Sequence, residues 1–293
     1  MEKTTEVPVT PSQQDERLKA DQVRQNVRDS YAQVAEASNN QSCCGETSSC
    51  CGVSDDAAIN TLVSTRLGYS EDDIDAVPEG ADMGLGCGNP RAIASIQQGE
   101  TVVDLGSGGG FDCFLAAAET GENGRVIGID MTPTMISKAR TNAAKGKYSQ
   151  VEFRLGEIEH MPVANDTADV IISNCVINLS PDKKQVFNEA FRILKPGGRL
   201  AISDVVASTE LPDEIRNDLA LYSGCMAGAS LVTELESILA EAGFQNINIS
   251  PKDESREFIR DWAPGRGVED YVISATIEAV KPGGDCCAGG SCC

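Results

Sequence analysis

The sequence predicts an α/β fold, a parallel sheet covered on both faces by helices, preceded by a smaller helical unit. Three observations predict it. Strand-like and helix-like segments alternate regularly from residue 101 to residue 204, the pattern of a parallel sheet with crossover helices. A β-branched run, Thr101-Val102-Val103, leads into Asp104-Leu105-Gly106-Ser107-Gly108-Gly109-Gly110 and then into a helix-forming stretch from Phe111. Glycines there let the backbone take positive φ and approach a ligand, and the helix start offers free N–H groups. Finally, 293 residues suffice for a full α/β core and one smaller unit.

Taken in order, residues 1–15 are polar and read as disordered. From Asp15 to Ala37, the spacing of Leu18, Val23, Val27, Tyr31 and Val34 predicts an amphipathic helix. A cysteine-rich link, 38–54, closes an N-terminal extension at 1–54. Residues 55–67 read as a helix stopped by Gly68; 69–88 read as irregular; Asn89-Pro90 caps and opens a short helix. Strands are expected at 101–105, 125–130, 150–155, 168–173, 198–204, 245–250 and 271–280. Helices are expected at 111–120, 133–145, 182–194 and 232–242, with an insertion at 207–230. The main domain therefore spans 55–283, and 284–293 form a cysteine-rich tail.

A net charge of -21 argues against nucleic acid and anionic membranes as partners. No basic-apolar leader and no membrane-length apolar run is present, so a cytoplasmic location is expected. There the 12 cysteines would be reduced, pointing to soft-metal or redox chemistry. Eight lie in doubled clusters: Cys43, Cys44, Cys50 and Cys51, then Cys286, Cys287, Cys292 and Cys293. Four are single: Cys87, Cys113, Cys175 and Cys225. With His160 the sole histidine, histidine-based catalysis and mixed Cys/His zinc sites have little to work with.

Asp130 ends the second strand, where a ribose-binding acid is expected about 20 residues beyond the glycine turn. Three further features favour S-adenosylmethionine over a nicotinamide cofactor. Asp104 precedes the turn, where negative charge suits a cationic amino-acid tail better than a pyrophosphate. Gly156-Glu157-Ile158-Glu159-His160-Met161-Pro162 follows the third strand, where an acid could accept from an adenine amino group. Leu194-Lys195-Pro196-Gly197-Gly198-Arg199-Leu200 enters the fifth.

On these residues the chain resembles the class I S-adenosylmethionine-dependent methyltransferases over roughly residues 70–280. The resemblance implies a Rossmann-like sheet of seven strands with the last antiparallel. It implies cofactor contacts from Asp104, Gly106, Ser107, Gly108, Asp130, Met131, Glu157, Ile158 and Asn174.

If the usual strand order of that class holds, the first and fourth strands are neighbours at the switch point where ligands bind. The fourth strand then delivers Asn174 and Cys175 beside the reactive methyl group. Cys87, in Gly86-Cys87-Gly88-Asn89-Pro90, and Cys225, in Ser223-Gly224-Cys225-Met226, could fold over the same edge. Three thiolates without histidine suit a soft trigonal acceptor such as trivalent arsenic, whereas zinc would want a fourth ligand. The plain alternative at each is a small buried residue. Cys113, among Phe111, Phe114 and Leu115, reads as core.

These motifs resemble the arsenite S-adenosylmethionine methyltransferases, on Leu85-Gly86-Cys87-Gly88-Asn89-Pro90, Gly106-Ser107-Gly108-Gly109-Gly110-Phe111-Asp112, Ser173-Asn174-Cys175-Val176-Ile177-Asn178-Leu179 and Gly224-Cys225. By that resemblance Cys87, Cys175 and Cys225 are the catalytic, arsenic-binding thiols. The substrate would be arsenite or its thiol conjugate, and thioredoxin or glutathione would regenerate a monomeric enzyme. The N-terminal cluster occupies the region of a redox-relay cysteine, and the C-terminal cluster reads as an accessory binder. Two other readings stand beside this one: a metalloid-sequestering protein without turnover, and a methyltransferase of small carbon or oxygen acceptors. An aromatic content of 4% and the thiol after the fourth strand count against the latter.

Overall fold

The computed structural model describes residues 11–37 and 56–283. Both doubled-cysteine clusters therefore lie outside the described residues. Four helices precede the sheet: α1 (Pro11–Ala37), α2 (Asp56–Arg66), α3 (Glu71–Asp75) and α4 (Arg91–Ala94). Then follow β1 (Thr101–Leu105), α5 (Phe111–Thr120), β2 (Arg125–Asp130), α6 (Pro133–Gly146), β3 (Val151–Leu155) and β4 (Ala168–Asn174). After these come α7 (Lys183–Ile193), β5 (Leu194–Ala207), α8 (Asp213–Arg216), α9 (Leu219–Ser223) and α10 (Val232–Ala242). The chain closes with β6 (Gln245–Lys252), α11 (Arg256–Trp262) and β7 (Val272–Val280).

The strands form one seven-stranded sheet in the order β3-β2-β1-β4-β5-β7-β6. β1 to β5 run parallel, and β7 is antiparallel to β5 and β6. The order reverses between β1 and β4, as the sequence predicts. Successive residues of β1 serve opposite faces. Val102 packs with Phe114, Ala117 and Ile136 of α5 and α6, whereas Val103 joins Val186, Phe187 and Leu239 of α7 and α10. Each such buried aliphatic side chain stabilises the fold by roughly 1.5–3 kcal/mol. β6 lies at an edge, where Pro251 removes no ladder hydrogen bond the sheet needs.

Element ends follow local chemistry. Asp182 caps α7 by accepting from the Gln185 N–H. Asn89 accepts from the Ala92 N–H at 3.2 Å, so α4 begins one residue after Pro90. The structure corrects the irregular reading of 69–88 at α3, where Ser70 and Asp73 form a reciprocal capping box. The insertion at 207–230 carries two short helices, α8 and α9. Short apolar spacing in these segments is too brief to register as periodicity. On α1, Val27 is buried while Leu18 is 55% exposed, so the apolar stripe packs only through its C-terminal part.

Candidate active site

The glycine turn is fastened to the neighbouring strand: the N–H groups of Gly106 and Ser107 both donate to the Ile129 carbonyl, at 2.8 and 2.9 Å. Gly106 has φ 72°, and a Cβ there would lie 2.3 Å from Val176 Cγ2, so glycine is required on both counts. Asp130 accepts from the Gly108 N–H at 3.0 Å on one oxygen and from the Thr132 N–H at 2.8 Å on the other. Each oxygen retains a lone pair for a further donor. Asp104, buried, accepts the Cys113 thiol at 3.2 Å, and Asp112 accepts the Tyr69 hydroxyl at 2.7 Å. Burial, then the neighbouring Asp112 carboxylate, pushes Asp104 well above the usual carboxylate range. Burial pushes Asp112 to about 6, against the Tyr69 hydrogen bond that holds it down.

Beneath these residues opens a cleft enclosing about 1040 Å³ of empty space, its solvent mouth included; Asp104, Gly106, Asp130, Met131, Ile158 and Asn174 are among its lining. The Ser107 hydroxyl is buried there without a partner. An orphaned hydroxyl, a cradle that a Cβ would fill and two buried acids with no cation between them fit S-adenosylmethionine. Its cationic tail suits Asp104, and its ribose hydroxyls suit Asp130.

Glu157 departs from expectation. Arg28 holds it at 3.1 Å and Arg24 at 3.7 Å, and it does not line the cleft. Glu159, two residues on, is buried in the lining and takes hydrogen bonds from Arg24 at 3.1 Å and Ser180 at 2.8 Å. The chain after β3 turns the adjacent acid outward toward α1. That helix lays Arg24, Val27 and Tyr31 along the cleft, a role its amphipathic spacing did not reveal. Cys113 is core, as read, but its thiol also serves Asp104. His160 is exposed.

The second half of the site is thiol. Cys87, Cys175 and Cys225 are all buried and share one cluster with Val205, Leu221 and Met226. The Cys87 N–H donates to Asn174 Oδ1 at 3.0 Å. Asn174 Nδ2 returns to the Gly88 carbonyl at 2.8 Å and to Tyr69 at 3.1 Å. Cys175 follows β4 at φ 59°, its N–H on the Ser203 carbonyl. Cys225 follows α9 at φ 65°, its thiol donating to the Cys175 carbonyl at 2.6 Å. Left-handed backbone costs a non-glycine residue roughly 1–2 kcal/mol, so packing holds two of the three thiol carriers in strained turns.

Cys175 sits between the other two: its sulfur lies within 4.8 Å of the Cys87 sulfur, and its carbonyl accepts the Cys225 thiol. Burial raises Cys87 to about 11 and Cys175 well above an ordinary thiol. Cys225 is raised first by its hydrogen bond to Cys175 and then by burial. All three are therefore neutral near pH 7. The sequence reading passed over Asp204, although an acid at the carboxyl end of β5 is a signal in such sheets. Its carboxylate and the Cys87 and Cys175 sulfurs lie within 4.8 Å of one another.

A groove on the outer side is lined by Tyr31, Leu85, Met226, Trp262 and both Cys175 and Cys225. The profile of the methyltransferase domain family matches residues 96–243. The arsenite methyltransferase of Halobacterium salinarum is 51% identical over 294 residues, 97% of this chain and 74% of that protein. Human arsenite methyltransferase is 44% identical over 152 residues, 49% of this chain and 40% of that protein. Among solved structures, CrArsM, an arsenic(III) S-adenosylmethionine methyltransferase from Chlamydomonas reinhardtii, superposes with a TM-score of 0.55 at 31% identity. That match covers 75% of this chain and 73% of that one. Sheet order, glycine turn and cleft thus define a class I S-adenosylmethionine-dependent methyltransferase. Within that class the chain belongs to the arsenite methyltransferase family.

Proposed function

We infer that this chain transfers methyl groups from S-adenosylmethionine to trivalent arsenic held by Cys87, Cys175 and Cys225. One observation carries the residue assignment: Cys175 lines both the cofactor cleft and the thiol groove. It is the side chain at which donor and acceptor can meet.

Arsenous acid exchanges three hydroxyls for three thiols, releasing three waters. Each thiol proton leaves with a hydroxyl, so the exchange creates no charge. Buried neutral thiols match that stoichiometry; a divalent cation would leave several uncompensated charges in the same cavity. When bound, S-adenosylmethionine supplies an electrophilic sulfonium methyl group. Asp104, Asp130 and the Gly106–Gly108 backbone orient the donor, and the thiols fix the arsenic lone pair toward the cleft. Orientation and exclusion of water supply much of the rate effect, since no proton must be moved by a general base. Methylation formally oxidises arsenic by two electrons. Two thiolates leaving as a disulfide return it to the trivalent state, while a water takes the vacated place on arsenic and releases a proton; a thioredoxin-like protein or glutathione reopens that disulfide.

The test is formation of methylarsenicals by purified protein with arsenite, S-adenosylmethionine and a thiol, resolved by chromatography with elemental detection. Cys175→Ser should abolish methylation. Full activity in that variant overturns the three-thiol assignment.

A further inference from the structure

Asp204 is buried to 1% exposure in the floor of the thiol site, and the exchange chemistry above gives it nothing to do. Neutral arsenous acid and three neutral thiols need no counter-charge. A buried carboxylate at that place is costly unless it serves something. Its position is fixed by three donors. The Ile177 N–H reaches one oxygen at 2.9 Å; Asn178 Nδ2 at 2.9 Å and the Val205 N–H at 2.7 Å reach the other. All three are neutral, so the carboxylate's charge is solvated without being cancelled. Lys183 acts on it through space, while the Lys183 ammonium donates to the Gly228 carbonyl at 2.6 Å. β4 and β5 pair Asn174 with Ser203, which brings Asp204 level with Cys175 and its sulfur.

New positive charge arises beside the thiol sulfurs during reaction. The arsenic lone pair forms the As–CH3 bond as the donor's S–CH3 bond breaks. That bond pair stays on sulfur, which leaves as a neutral thioether. Arsenic, held by three thiolates and neutral before the step, becomes a cation in the formal pentavalent state. Charge thus moves from the donor into the thiol cavity, and a fixed anion beside the thiol sulfurs favours the transition state over the ground state.

We propose that Asp204 is the built-in counter-ion for the arsenic cation formed by methyl transfer, placed by its distance to Cys87 and Cys175 and by three neutral donors that leave its charge uncancelled. Three donors aimed at its two oxygens favour the ionised, acceptor-only form of this carboxylate. The same charge makes the three free thiols harder to ionise. The role therefore has two signatures of opposite sign: loss of the charge slows methyl transfer and makes the resting thiols more reactive. A purely structural role would not produce that pairing.

The proposal rests on the arsenite reading, and the experiment separates the two. Wild type, Asp204→Asn and Asp204→Glu are compared by arsenite titration without cofactor, followed through Trp262 fluorescence, by iodoacetamide alkylation of the free protein, and by single-turnover methylation. For Asp204→Asn, arsenite affinity should stay within about threefold and alkylation should quicken. Methyl transfer should slow by about 30-fold or more, in line with loss of one preorganised electrostatic contact. Asp204→Glu, keeping the charge, should stay within about tenfold of wild type, one decade being 1.36 kcal/mol. An unchanged rate in Asp204→Asn overturns the counter-ion, as does a parallel loss of arsenite affinity that Asp204→Glu fails to restore. If near-UV circular dichroism shows Asp204→Asn unfolded, Asp204→Glu decides: a fall beyond tenfold at unchanged arsenite affinity overturns the proposal. A wild type that binds arsenite and produces no methylarsenical defeats the arsenite reading itself.

Discussion

The side-chain carbonyl of Asn174 accepts the backbone N–H of Cys87 at 3.0 Å, and this one bond ties the loop bearing the first thiol to the strand end bearing the second. The same amide donates to Gly88 and Tyr69, so Asn174 also connects the thiol loop to the acids of the cofactor cleft. Asn174→Ala leaves the Cys87 N–H and the Gly88 carbonyl unpaired, at a cost of about 1–3 kcal/mol each. Arsenite affinity should fall by at least tenfold, with a smaller loss for cofactor. Parallel fluorescence titrations with both ligands check this; an unaltered arsenite curve would show that the loop is held by other contacts.

The glycine turn is sterically locked against Val176. Gly106→Ala meets Val176 Cγ2 at 2.3 Å and must also hold φ 72°. Overpacking and left-handed backbone together should destabilise by roughly 2–4 kcal/mol. Adding Val176→Ala removes the atoms at 2.3 and 2.6 Å but leaves Val176 Cβ at 2.9 Å and the backbone penalty, so the double variant should recover only part of the loss. Urea denaturation of the three variants measures it. A double variant no better than Gly106→Ala would place the whole cost in φ and the remaining Cβ contact.

Cofactor affinity should depend on pH through the buried acids. Burial raises Asp104 and Asp112, the latter to about 6, above their unfolded values near 3.9. The stability Asp112 contributes is present below the unfolded value and is lost as pH rises through about 6. A cationic tail favours the ionised acids, so binding releases a proton below that range and none well above it. Affinity should therefore rise with pH from 5 to 7 and then level off, by up to about tenfold per unit per proton. Calorimetry in two buffers of different ionisation enthalpy counts the protons. The thermal shift on adding cofactor should likewise be larger at pH 7.5 than at 5.5.

Helix α1 is bound to the cleft by charge. Arg24 bridges to Glu159 at 3.1 Å, and the Glu159 side chain is only 4% exposed. Arg24→Ala leaves that carboxylate with Ser180 alone, a cost of about 3 kcal/mol for breaking one side of a buried pair. The sheet does not depend on α1, so the loss should appear as weaker cofactor binding and faster amide exchange across residues 18–37, with a global melting temperature changed by a few degrees. Adding Glu159→Gln should restore part of the protection. Exchange mass spectrometry reads both.

The plan of the sheet was legible in the chain. β1, β2, β6 and β7 lie where alternation and β-branched runs place them, and helices α5, α6, α7 and α10 match within a residue or two. Local rules suffice there because each strand carries its own two-faced burial pattern. The glycine turn with Asp104 and Asp130, and the thiol Cys175 at a strand end, were also readable, since motif and strand polarity together assign them to one edge of the sheet. Glu157 was not: two acids, Glu157 and Glu159, follow β3, and which of them lines the cleft depends on Arg24 and Arg28 arriving from α1, more than a hundred residues away in the chain. The placing of Asp204 beside two sulfurs and of Tyr31 on the cleft likewise rests on contacts between residues distant in the chain.

The sequence by itself determined the strand order's ingredients, the donor cleft and the choice of three of the four single thiols as candidates. Only the tertiary structure decided their meeting. Cys87 is pinned by Asn174, Cys225 is turned back at φ 65° onto the Cys175 carbonyl, and Asp204 is set behind two sulfurs. Those relations are contacts between residues far apart in the chain, held by packing and buried hydrogen bonds, and neither leaves a periodic trace in a linear sequence.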